Sequence, residues 1–178
     1  MPGWEFRPLW GADHAPTFPD DGGPTAQPSH LPPVGGYRFM VITVPPGIVS
    51  VPPGLDLRAG LAEMEEKLPG VLARLEPDNP GMHTTDTIDF EVVLSGEVIL
   101  ELDDGVEKVL RPGDTVVQNG TRHRWGNRGT EPAVMAVFTI GPTVLASDPD
   151  ARQRSFPSIR PSEPLRGPDG NDVRRQRA

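Results

Sequence analysis

Apolar positions along this chain cluster in short runs bounded by turn residues. The stretch "YRFMVITV", Tyr37 to Val44, is rich in β-branched and aromatic residues and ends at Pro45-Pro46, which predicts a strand. In "LDLRAGLAEMEEKLPGVLARLEP" the spacing changes. Leu57, Leu61, Met64 and Leu68 recur at i, i+4, i+7 and i+11 behind a plausible cap at Asp56, giving one apolar stripe on a helix. Pro69 ends that helix, and a shorter turn is expected over Val71 to Leu75, so the helical segment spans 56–76. Covering a core is the commoner use of such a stripe, with a dimer contact as the alternative.

From Gly81 to Gly141 the runs are strand-like again. "IDFEVVLSG" is followed by "EVILELDDGVEKVLRPGD", which folds back at Asp104-Gly105 and turns once more at "RPGD". "TVVQNGTRHRW" and "AVMAVFTIG" supply further strands. Short, closely spaced strands with tight turns imply a closed barrel or a sandwich, so the expected class is all-β.

Proline distribution sets the boundaries. Twelve of the 23 prolines fall in residues 1–54, five in 55–140 and six in 141–178. Regular structure is therefore expected in the middle. Residues 1–36 read as an extended Pro/Gly-rich arm, 37–146 as the barrel with its helical segment, and 147–178 as a basic tail. No repeat with a period of a solenoid or propeller is visible.

Composition narrows the functions. With 178 residues and 35% hydrophobic content the chain suits one soluble domain. No run approaches the roughly 18 apolar residues that span a bilayer, and the N-terminus lacks signal-peptide order, so a cytoplasmic protein with no membrane partner is expected. Absence of cysteine removes thiolate ligands and nucleophiles, leaving His, Asp and Glu for any metal. A net charge of −8 argues against a nucleic-acid partner. The exception is Ala151–Ala178, which carries a net +4 and leaves −12 on residues 1–150. Its bland reading is a solvated tail, its functional one docking onto the acidic body.

The stretch "GMHTTDTIDF EVVLSG", Gly81 to Gly96, holds the candidate chemistry. If it is extended, His83, Thr85, Thr87, Asp89 and Glu91 share one face, while Ile88, Phe90, Val92 and Leu94 take the other. On an ordinary half-exposed strand the polar face would look outward. A second stretch, "GDTVVQNGTRHRWGN", Gly113 to Asn127, changes that weighing. Together the two resemble the paired motifs of the cupin superfamily, in its small single-domain bacterial form. His83 matches the first motif histidine, Thr85 stands where the second belongs, Asp89 where the glutamate belongs, and Gly96 closes the motif. Gly113, Gly120, His123 and Asn127 match the second motif, although its turn is one residue short and "QNG" replaces proline-x-glycine.

The resemblance covers Gly81 to Gly141 and implies a double-stranded β-helix, a jelly-roll barrel whose mouth holds a metal in many members and none in others. It extends to single-domain cupins found beside secondary-metabolism oxidoreductases. Thr85 and Asp89 are departures from the usual three-His, one-Glu set. What remains is His83, His123 and one carboxylate, an arrangement suited to non-haem Fe and also to Mn, Ni, Co or Zn. Asp89 is the first candidate ligand; Glu91, with longer reach, is either the ligand or a general acid/base beside it. Without metal, the two histidines would be satisfied by hydrogen bonds inside the barrel. Thr85, Trp125 and Arg38 are candidate pocket residues, Arg38 as a partner for a substrate carboxylate, although core packing for Trp125 and surface exposure for Arg38 are the blander readings. Asn127 reads as turn-forming, and His14 and His30 as solvated in the arm.

The expected function is a metal-dependent cupin enzyme with oxygenase or oxidoreductase chemistry on a small organic substrate. Isomerase, lyase or decarboxylase chemistry on an enolisable substrate is the alternative within enzymes. A metal-free ligand-binding module is the alternative outside them. A homodimer is expected, because the apolar strand at Tyr37–Val44 and the N-terminal arm offer an added or exchanged edge strand.

Overall fold

A computed structural model describes residues 3–23, 27–47 and 57–143. The expected cap at Asp56 and the basic tail lie outside the described residues. Among the described residues, eight strands and one α-helix follow in order: β1 Glu5–Ala12, β2 Tyr37–Val44, α1 Leu57–Lys67, β3 Ile88–Ser95, β4 Val98–Glu101, β5 Glu107–Leu110, β6 Thr115–Asn119, β7 Arg124–Gly126 and β8 Ala133–Ile140. A larger sheet has the order β1-β2-β8-β3-β6 and a smaller one β5-β4-β7, with antiparallel pairing throughout. The protein is all-β, a double-stranded β-helix with one short helix.

Local chemistry accounts for the elements. Val98–Leu110 forms a hairpin through a 3₁₀ turn at Asp103–Gly105, where Gly105 takes φ 72°. At "RPGD" the Asp114 carboxylate accepts from Arg111 N–H at 2.8 Å and closes the turn. Gly96 is required: it sits at φ 73°, and a Cβ there would lie 2.7 Å from Ala133 Cα. The helix stops before Pro69, and Leu72–Arg74 adds one 3₁₀ turn.

One strand lies inside the stretch read as an arm. Glu5–Ala12 pairs with β2 at the sheet edge, and its register shifts between Pro8 and Trp10. Proline is tolerated there because an edge strand leaves half its N–H groups unpaired and a bulge absorbs the irregularity. The arm then returns across the barrel. Ser29 Oγ and His30 N–H both donate to Pro69 O, and Gly35 N–H donates to Gly141 O.

Register sorts the interior into layers. Across β2, β8, β3 and β6, Arg38, Thr139, Asp89 and Gln118 form one row, and Met40, Val137, Glu91 and Val116 the next. Below them Met135 and Val93 join Val44, Val98, Leu100 and Leu110 in the apolar core, which draws on both sheets. One end of the barrel is thus polar inside and the other end dry. The outer face is the reverse of an ordinary sheet surface, with Phe90, Val92, Leu94 and Val117 exposed.

Candidate functional site

Burial alternates along the first motif as strand geometry requires. Thr85, Thr87, Asp89, Glu91 and Val93 are buried, whereas Thr84, Asp86, Phe90 and Val92 are exposed. The polar face points inward. The strand itself begins only at Ile88. Upstream, His83 is held by isolated antiparallel bridges to Leu75 and His123.

His83 and His123 come together at the polar end. Their backbones exchange N–H···O bonds of 2.9 Å in both directions, and their ring centroids lie 4.2 Å apart. His83 Nδ1 lies 3.1 Å from Gly81 O and His123 Nδ1 2.8 Å from Thr121 O. A carbonyl oxygen only accepts, so each Nδ1 carries the proton and each Nε2 keeps its lone pair. Burial disfavours the imidazolium of both, pushing His83 below its ordinary value and His123 down to about 3. Neutral imidazoles oriented by backbone carbonyls are what a divalent metal requires of histidine ligands, so this pair fits such an ion.

The carboxylates stand apart. Among the described residues no three His, Asp or Glu side chains converge as a metal-holding group, so Asp89 does not join the histidine pair. Asp89 instead pairs across the sheets' register with Thr139 and Gln118, and accepts from Thr87 Oγ1 at 3.3 Å. Thr87 Oγ1 also lies 2.8 Å from Thr85 Oγ1. Because Thr87 has one hydroxyl proton, donation to Asp89 makes Thr85 the donor to Thr87, a chain running from the Thr85 side toward the acid. Burial pushes the Asp89 carboxyl up to about 6 despite the Thr87 and Thr139 hydroxyls. Glu91 is pushed well above the carboxylate range by burial first and by Asp89 second.

The proposed pocket residues divide. Trp125 packs partly buried against the core and meets His123 edge-on, with centroids 5.6 Å apart. Arg38 is 3% exposed, and surface placement is overturned. Its five N–H groups are all engaged: Nε with Ser29 O, Nη1 with Ala12 O and Tyr37 O, and Nη2 with Ser29 O and the Asp13 carboxylate. Arg38 clamps the arm, with no donor left over for a substrate carboxylate. Asn127 ties the turn after β7 by donating to Val44 O and Glu131 O and accepting from Gly129 N–H.

Residues 71–140 match the family described as "Cupin domain". The chain is a cupin over this stretch. Curated relatives agree in sequence over part of the chain. The phomopsin biosynthesis cluster protein C' of Diaporthe leptostromiformis is 40% identical over 84 residues, 45% of this chain and 39% of that protein. The oryzines biosynthesis cluster protein J of Aspergillus oryzae is 40% identical over 62 residues, 33% of this chain and 35% of that one. The cupin-domain-containing oxidoreductase fogC of Aspergillus ruber is 37% identical over 87 residues, 47% of this chain and 39% of that one. The chain therefore spans about two fifths of the length of these relatives.

Two features of the cupin site were not singled out by sequence. Gln118 and Thr139 are buried on the Asp89 row, and alternation from Val116 and Val137 was the signal for both. His30, read as solvated, is half-buried and lies edge-on to Phe6 with centroids 6.0 Å apart. Burial, then Arg38, then His83 push its pKa down to about 4. His14 is exposed.

Proposed function

We propose that this cupin is an enzyme of oxidoreductase type acting on a small organic molecule inside the polar end of its barrel, with His83 and His123 holding one divalent metal. The observation that carries the reading is the histidine pair, neutral and oriented with both Nε2 atoms unprotonated. The names of curated relatives, oxidoreductases and biosynthesis-cluster proteins, support the reaction class and a secondary-metabolite-like substrate. A bound divalent ion would supply Lewis acidity toward a substrate oxygen and, if it is iron, reactivity with dioxygen.

The chain's own groups supply the rest. Glu91, whose burial favours the protonated form, is suited to give a proton. Asp89, titrating near 6, is suited to receive one. Thr85 and Thr87 fix the orientation of that acceptor. Arg38 clamps the arm at Ser29 and Ala12 from the same cross-strand row as Asp89.

The buried acid pair also favours a second reading, isomerisation or lyase chemistry on an enolisable carbonyl compound. The two are separated by loading the protein with Fe(II) and following dioxygen consumption alongside product analysis for neutral enolisable ketones. Substrate-dependent dioxygen consumption with an oxidised product supports the first reading. A product isomeric with the substrate, or cleaved without oxidation, supports the second. Absence of metal uptake together with ligand binding would favour a non-catalytic module.

A further inference from the structure

The polar row and the row next to it hold three buried side chains with hydrogen-bonding atoms that lack partners. Asp89, Glu91 and Gln118 are 8%, 5% and 3% exposed, and Asp89 Oδ1, Glu91 Oε2 and Gln118 Nε2 make no hydrogen bond. Such atoms are costly, each on the order of 1–3 kcal/mol when left unpaired. Asp89 and Gln118 are direct cross-strand partners on β3 and β6. Side chains in that relation start roughly 5 Å apart, near enough to bond each other, yet these atoms do not. A free acceptor and a free amide donor therefore stand side by side on an inward face.

Charge narrows what they can take. Arg38 is the one Lys or Arg buried among the described residues, and its donors are all engaged. An anionic ligand group would meet two acids and no free cation. A cationic group would pair with the acids but leave the Gln118 N–H unmatched. Met40, Val116 and Val137 flank Glu91 in the next row, so the adjoining surface is apolar.

We propose that Asp89, Glu91 and Gln118 form a binding shelf for an uncharged ligand group with a hydrogen-bond donor and an acceptor on neighbouring positions and the same side, as in a lactam or an α-hydroxyketone. The ligand N–H or O–H donates to Asp89 Oδ1, its carbonyl oxygen accepts from Gln118 Nε2, and Glu91 borders the group on the apolar side. Gln118 is a specificity residue in this arrangement. The inference rests on the reading of the barrel interior as the substrate chamber, but not on the metal or on turnover.

The test is an NMR titration of the full chain in EDTA with two matched probe pairs: 2-pyrrolidinone against cyclopentanone, and hydroxyacetone against butanone. The expected result is that at least one donor-bearing probe binds about tenfold or more tightly than its partner, the discrimination a buried polar site gives against an analogue lacking the donor. Preference within the first pair alone assigns a lactam, and within the second alone a hydroxycarbonyl. Gln118→Met, which keeps the volume and removes the unpaired N–H, should match or exceed the parent's thermal stability and lose the preference. No preference in either pair overturns the proposal, as does a preference that survives in Gln118→Met. A purely structural Gln118 would instead give a destabilised variant with binding unchanged, and the parent's own preference stands as a test should that variant fail to fold. Because the titration contains no metal, its failure leaves the metal and dioxygen assays to stand or fall separately.

Discussion

His83 and His123 are bonded to each other through their backbones in both directions at 2.9 Å, while each ring is turned by a carbonyl two residues before it. Neither histidine lies within a named strand, so a single two-residue bridge positions the pair. Reciprocal bonding makes their spacing a property of the backbone. Side-chain substitution at one should leave the other in place.

Acid should weaken the fold partly through His30. Its folded-state pKa, about 4, lies below the ordinary 6.5, so its contribution is fully present above pH 6.5 and is lost as pH falls toward 4. His30→Phe should therefore flatten the fall in thermal midpoint between pH 7 and 4, with the variant losing several degrees less than the parent. Parallel curves for the two proteins would contradict the burial of a neutral His30.

Arg38→Ala should destabilise by about 2–4 kcal/mol, because it removes the buried guanidinium that joins the carbonyls of Ala12, Tyr37 and Ser29 to one another and to Asp13. For a chain of this size that corresponds to a fall in midpoint of roughly 5–15 °C. Arg38→Lys should recover little, since an ammonium cannot reproduce the planar fork. Limited proteolysis should cut first within residues 12–30. A variant with the parent's stability would contradict the clamp.

Much of this was legible from the residues. Alternation from His83 named the inward face correctly, and the matching second motif indicated that a polar face could be the buried one. The class and most strand positions followed from turn chemistry. What sequence could not supply was the set of acceptors around a side chain: Arg38 looked like a surface cation because Ser29 and Ala12 approach it only after the arm folds back. His30 was misread for the same reason, its partner Phe6 lying on a strand concealed by Pro8. Gln118 followed from Val116 by the same alternation, but "TVVQNG" ends in turn residues and reads as a solvent edge.

Asp89 and Glu91 should prove separable from the metal. Neither converges with the histidines, so Asp89→Asn and Glu91→Gln should keep the parent's metal content and lower turnover by about tenfold or more, the lower range for a lost proton donor or acceptor. Loss of metal in Asp89→Asn alone would restore it as a ligand. Because burial favours the uncharged form of Glu91, Glu91→Gln should change stability little.

We expect a homodimer formed through the outer face of the larger sheet. Phe39, Phe138, Phe90 and Val117 form one uncharged row there, with Val41, Ala136, Val92 and Thr115 beside it. Phe90 is 44% and Val117 49% exposed, on a chain of net charge −8 where two copies meet with least repulsion at an uncharged surface. Sedimentation should give a dimer for the parent at micromolar concentration and a folded monomer for Phe90→Lys combined with Val117→Lys. A monomeric parent would contradict this.

The metal content of purified protein tests the central claim most directly. The parent, equilibrated with Fe(II), Mn, Ni, Co or Zn in turn and desalted, should retain about one ion per chain for at least one of these metals. His83→Ala and His123→Ala should each fold and each lose it. Retention by both variants, or no uptake by the parent for any of the five, would show that the histidine pair is not a metal centre.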